Sequence, residues 1–141
     1  MRIARFCCLL LLAGSSFAAQ AKMVHRTVEW SQDGTRFHSI LIYDDVTATK
    51  RPGLVMVPNW YGVNDAAVKK AEMIAGRDYV ILLTDMYGAS VRPQQGHADQ
   101  AQAAVKPLYG DRALMRKRVN EALAQLKAQV ATAPIDSSKL A

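Results

Sequence analysis

The sequence predicts an α/β fold, in which an antiparallel hairpin leads into parallel strands that alternate with helices on both faces of one sheet. Three observations carry this reading. Two strand-like segments flank the turn residues Ser31, Gln32, Asp33 and Gly34. Continuous apolar runs occupy residues 53–57 and 79–83. Between those runs Ala67, Val68, Ala71, Ile74 and Ala75 recur at helical spacing, so strand, helix and strand together make a right-handed βαβ crossover. A chain of 141 residues without repeats or long linkers allows one domain at most.

The N-terminus reads as a targeting segment. Arg2 and Arg5 precede an apolar run over residues 6–13, followed by the small residues Gly14, Ser15 and Ser16, which is the order of a secretory signal peptide. Ala19 and Ala21 place cleavage after Ala21, with Ser16 and Ala18 as a second register. This predicts a signal peptide over residues 1–21, a mature chain over 22–141, and a periplasmic or secreted location. The run is far shorter than the roughly 20 residues of a spanning helix, so no stable membrane span is expected. Cys7 and Cys8 both fall inside it, which leaves residues 22–141 without a disulfide, a cysteine metal ligand or a thiol nucleophile. They sit at its beginning, where a lipid anchor is not made.

Residues 1–21 carry two of the 18 basic residues and none of the 12 acidic ones, so their removal lowers the net charge from +6 to +4. The densest basic cluster, Arg116, Lys117 and Arg118, has no interleaved aromatic residues and reads as a solvated helix face rather than a nucleic-acid patch.

Each element follows from its residues. Residues 24–30 alternate imperfectly between apolar and polar side chains, residues 36–43 form a second strand, and Asp-Gly between them makes a β-hairpin. The runs at 53–57 and 79–83 suit strands buried on both faces of a parallel sheet. Asp65 is the expected cap of the intervening helix, which ends near Gly76. A short helix is expected over 98–106 and a longer one over 111–130, whose apolar stripe is Leu114, Val119, Leu123, Leu126 and Val130. Ser138, Lys139, Leu140 and Ala141 read as the start of another strand. Ligands in such sheets bind outside the carboxyl ends of the strands, so a site is expected on the loops over 58–64 and 84–92.

Those two loops carry a resemblance. Val57-Pro58-Asn59-Trp60-Tyr61-Gly62-Val63-Asn64 and, further on, Thr84-Asp85-Met86-Tyr87-Gly88 resemble the loop pair of the dienelactone hydrolase family, whose first loop has a glutamate, two large apolar residues and a glycine, and whose second reads Asp-x-Tyr-Gly. The resemblance implies an α/β-hydrolase-type sheet, C-terminally truncated in this chain. It implies a cysteine or serine nucleophile on a strained strand-to-helix turn, followed by an aspartate and a histidine. Glycine-x-nucleophile-x-glycine does not occur here: Gly88-Ala89-Ser90-Val91-Arg92 ends in arginine. The nucleophile is expected about three to five residues beyond Ala141, given ordinary strand lengths, and residues 22–141 alone are expected to be inactive and prone to aggregate.

By the same resemblance the backbone N–H of Trp60 is the oxyanion donor contributed by the first loop. Asn59 stands at the position of the family glutamate, where an amide can hold a hydrogen bond but cannot act as a base. Tyr61, Tyr87 and Arg92 are the expected substrate-binding residues. Ala89 replaces a carboxylate-binding arginine of the family, and Arg92 is its displaced substitute, which disfavours a small acidic dienelactone. Asp85 reads as a residue that caps and orients its own turn. His25 and His38 lie on the hairpin, remote from the strand ends, and His97 lacks a second ligand at metal spacing, so no metal is expected, nor is any other cofactor. The expected function is exported hydrolysis of a small-molecule ester, lactone or thioester. The alternative is a non-catalytic periplasmic binding or accessory protein on the same scaffold.

Overall fold

The computed structural model describes residues 22–46 and 48–141, so the expected signal peptide lies outside the described residues. Strands β1 (Met23–Gln32) and β2 (Thr35–Asp44) pair antiparallel without a break, from Met23 opposite Asp44 to Gln32 opposite Thr35. Asp33 and Gly34 form the two-residue turn with φ of 50° and 76°. Both values are positive, as a turn matched to the right-handed twist of the strands requires.

Strand β3 (Arg51–Met56) is joined by helix α1 (Asp65–Ala75) to β4 (Val80–Leu83), and the two strands are parallel. Helices α2 (Ala98–Gly110) and α3 (Arg112–Ala128) follow, then a short 3-10 turn and strand β5 (Ile135–Leu140). The sheet order is β1-β2-β4-β3-β5, with β4 antiparallel to β2 and β5 parallel to β3.

Alternation along β4 explains both halves of the core. Val80 and Leu82 join Leu41, Ala122, Leu126 and Ile135 on the face covered by α3. Ile81 and Leu83 join Ile42, Ala67, Ala71 and Ala75 on the face covered by α1. All four β4 residues are fully buried, whereas Leu54, Val55 and Met56 of β3 are half-buried, so only β4 has the complete two-sided cover that its apolar run predicts.

Several boundaries differ from expectation for physical reasons. The α1 cap is Asn64, not Asp65: its extended backbone lets Oδ1 accept from the Ala67 N–H at 2.9 Å, while Asp65 occupies the first helical position. Helix α2 runs on to Gly110 through Pro107, because burial of Leu108 outweighs the missing N–H. Helix α3 begins after Asp111, whose Oδ1 caps Leu114 N–H at 2.9 Å, and ends at Ala128, two residues short of Val130. Its buried positions are Ala122 and Leu126. Strand β5 starts three residues before Ser138, because Ile135 already pairs with Arg51.

Among the described residues no helix is long and apolar enough to cross a membrane.

Candidate active site

Successive parallel strands β3 and β4 send their following helices to opposite faces of the sheet, so the loops at their carboxyl ends part and leave a crevice. The first loop is a tight turn. Gly62 N–H donates to Asn59 O at 2.9 Å, and Tyr61 N–H donates to Asn59 Oδ1 at 3.0 Å. Asn59 therefore builds its own turn through its side chain. Gly62 has φ of 68°, and a Cβ there would stand 3.1 Å from the Tyr87 ring, so the position needs glycine both for its conformation and for the close approach of that ring.

Trp60 is at the crest of this turn, 41% exposed, with its ring edge-on to Tyr61 at 5.5 Å. No described residue accepts a hydrogen bond from the Trp60 N–H. Its carbonyl accepts one from the Tyr87 hydroxyl at 3.0 Å.

The second loop is organised by Asp85, which is 1% exposed. Its Oδ1 accepts from the N–H groups of Tyr87 and Gly88, each at 3.0 Å, and its Oδ2 accepts from His38 N–H at 3.1 Å and Arg92 Nη2 at 2.9 Å. Arg92 also donates to Gly88 O at 2.6 Å. Burial, and secondarily the neighbouring Tyr109, push the Tyr87 phenol above its ordinary pKa, which keeps it a donor.

Trp60, Asn59 and Tyr87 all line a cleft of about 280 Å3 at the strand ends. Its remaining wall is apolar, with Val57, Met86, Val105, Leu108, Met115 and Val119, and no charged side chain lines it. Two expected substrate residues do not line it: Tyr61, whose ring meets that of Trp60, and Arg92, engaged with Asp85. Helices α2 and α3 supply much of this wall, beyond the two loops on which the site is expected. The spacing of Val105, Leu108 and Tyr109, with Met115 and Val119, was the available signal.

The basic cluster is not uniformly solvated, as a solvated helix face would be. Arg116 and Lys117 are exposed, but Arg118 is half-buried, lies 5.2 Å from the centre of the Phe37 ring and donates to Met86 O. The histidines stand apart from the cleft: His25 contacts Glu72 at 2.8 Å and His38 lies 3.8 Å from Glu29. Among the described residues no cluster of three histidine, cysteine or acidic side chains could hold a metal.

The dienelactone hydrolase family model matches residues 39–140. No curated protein sequence matches the chain. Among solved structures, the chain is similar to a dienelactone hydrolase-like promiscuous phosphotriesterase from metagenomic libraries, at 30% identity and a TM-score of 0.71, over 84% of this chain and 47% of that one. It is similar to the protein named m3DLH at 32% identity and a TM-score of 0.70, again over 84% and 47%. A Klebsiella pneumoniae protein assigned to the dienelactone hydrolases shares the fold at 12% identity, with a TM-score of 0.62 over 84% and 48%. The chain thus spans about half the length of these structures.

Proposed function

This chain belongs to the dienelactone hydrolase family, and from that premise we propose that it supplies the oxyanion loop of an exported hydrolase, one that cleaves an ester, lactone or thioester through a cysteine or serine nucleophile beyond residue 141. The observation that carries this reading is the course of β5. Ala141 N–H donates to Gly53 O at 3.0 Å and Ala141 O accepts from Val55 N–H at 2.7 Å, so the two strands advance side by side toward the same crevice. Parallel strands rise together by about 3.3 Å per residue. A few further residues along β5 would bring a strand-to-helix turn level with Asn59 and Trp60.

A nucleophile there would attack the substrate carbonyl, and the oxygen that becomes negative would lie toward the Trp60 N–H. Such a donor is worth about 3 kcal/mol in the transition state. The apolar wall of the cleft, with no cation in it, favours an uncharged acyl or lactone group over a small acid.

The test is turnover of p-nitrophenyl esters by the purified full-length protein. Saturable hydrolysis is expected, lost in Trp60→Pro, which deletes the N–H, and largely kept in Trp60→Phe. Residues 22–141 alone should hydrolyse nothing. Equal turnover by folded Trp60→Pro and Trp60→Phe would overturn the oxyanion assignment. Export is tested by N-terminal sequencing of the protein recovered from a bacterium, which should begin at Lys22 or within three residues before it and not at Met1.

One observation favours a second reading, a binding or accessory protein without catalysis. Asn59 stands where the family has glutamate, and its Oδ1 is committed to the Tyr61 N–H. Absence of turnover from the folded full-length protein across ester, lactone and thioester probes would select that reading.

A further inference from the structure

A second cavity lies between the loop that follows β4 and helices α2 and α3. Its volume is about 450 Å3, and Tyr87 is the only residue it shares with the cleft described above. Two arginines line it, and they differ. Arg92 is neutralised, with Nη2 2.9 Å from Asp85 and Nη1 on Gly88 O and Val91 O. Arg118 has no ion-pair partner among the described residues. One of its nitrogens donates to Met86 O, and its Nε is buried without an acceptor.

The carboxylates near Arg118 are already engaged. Asp85 is paired with Arg92, and Asp33 holds Lys117 Nζ at 2.7 Å. Burial lowers the Arg118 guanidinium below its ordinary pKa, an effect that Asp85 and Asp33 oppose from longer range. A half-buried cation without its own counter-ion is costly, and an anion in the adjoining cavity would relieve that cost.

We propose that this cavity binds a small organic carboxylate, whose carboxylate pairs with Arg118 and whose apolar body rests on Pro93, Ala104 and Pro107. The charge and shape of the guanidinium fork suit a carboxylate. The apolar floor distinguishes that ligand from inorganic phosphate, which would leave those surfaces unused. The volume is within the range of small-molecule sites, about 300 to 1,000 Å3.

Calorimetric titration of the full-length protein with benzoate, supported by amide shifts in residues 87–93 and 100–107, tests this independently of hydrolase activity. Saturable benzoate binding is expected, with acetate, benzamide and inorganic phosphate each at least tenfold weaker. Arg118→Gln should weaken benzoate at least tenfold. Ala104→Phe, which leaves Arg118 intact but fills the cavity from a partly exposed helix position, should do the same and decides the matter if Arg118→Gln does not fold. Arg116→Gln, at an exposed neighbour, should leave binding unchanged. No benzoate binding to the unaltered protein, phosphate binding as tight as benzoate, or full affinity in Ala104→Phe would overturn the proposal.

Discussion

The Tyr87 hydroxyl donates a 3.0 Å hydrogen bond to the Trp60 carbonyl, which ties the turn leaving β3 to the turn leaving β4. The bond fixes the Trp60 residue on its C-terminal side, while the proposed oxyanion donor is the N–H on its other side. Removing it frees the loop without deleting the donor. The Tyr87 ring remains packed at Gly62 in Tyr87→Phe, so the fold should survive. A hydrogen bond of this kind is worth about 1 kcal/mol net. If the full-length protein hydrolyses as proposed, Tyr87→Phe should accordingly lose about fivefold in kcat with little change in KM. An unchanged kcat would show that the bond does not position the loop.

Much of the scaffold was legible because its causes are local. Asp33-Gly34 specifies a two-residue turn, and the apolar run around β4 specifies a strand buried on both faces. What escaped was decided by tertiary contacts. Nothing near Pro107 in sequence reveals that Leu108 will be buried and carry α2 onward, and Asn64 displaces Asp65 as cap only because the entering chain is extended there. The two site loops were visible as motifs. Their mutual wiring was not, since Tyr87 with Trp60 and Asp85 with His38 are long-range pairs. In sequence Arg118 looks like its exposed neighbours, because its position beside Phe37 depends on how α3 crosses the sheet.

The β3–β5 contact has its own requirement. Between Pro52 and Gly53 the register with β5 shifts from Asp136 to Leu140. A Cβ on Gly53 would stand 2.8 Å from Leu140 Cδ2, 3.1 Å from Ile135 Cγ2 and 3.3 Å from Leu126 Cδ2. Leu126 and Ile135 are fully buried and have little room to retreat, and Leu140, half-buried, would have to shift its side-chain tip. Gly53→Ala should therefore destabilise by about 1–3 kcal/mol, the usual cost of overpacking. Urea unfolding of the full-length protein measures it, and a midpoint at or above that of the unaltered protein would contradict this geometry.

Where the register shifts, Asp136 Oδ1 accepts from Ser138 Oγ at 2.7 Å and from Ser138 N–H at 3.0 Å. These bonds, the hydroxyl foremost, favour the ionised form and hold the carboxyl below its ordinary pKa. A depressed folded-state pKa gives stability that is present above the unfolded pKa and lost as pH falls through the folded one. The local turn should thus loosen only in acid, below the ordinary carboxylate range. In Ser138→Ala the Asp136 carboxyl, followed by NMR, should titrate closer to its ordinary value. A titration midpoint that does not move would remove the hydroxyl as the cause.

The Asp85–Arg92 pair should respond unequally to loss of its two members. Asp85 is 1% exposed and accepts from three backbone N–H groups besides the guanidinium, whereas the Arg92 side chain is 35% exposed. Arg92→Met leaves a carboxylate that still has three donors, and the lost pair is partly screened by water, so the expected cost is about 1 kcal/mol or less. Asp85→Asn removes the charge and turns one of the two acceptors into a donor, which then confronts donors already in place. That is the breaking of a buried pair from its buried side, with an expected cost of about 3 kcal/mol. Because Tyr87 hangs from the same carboxylate, Asp85→Asn should also lower the kcat of the proposed hydrolysis by the full-length protein, while Arg92→Met should not. Chemical denaturation with steady-state kinetics on both variants resolves the two effects. Equal destabilisation by the two substitutions would mean that the ion pair, and not the carboxylate's grip on the backbone, holds the second loop in place.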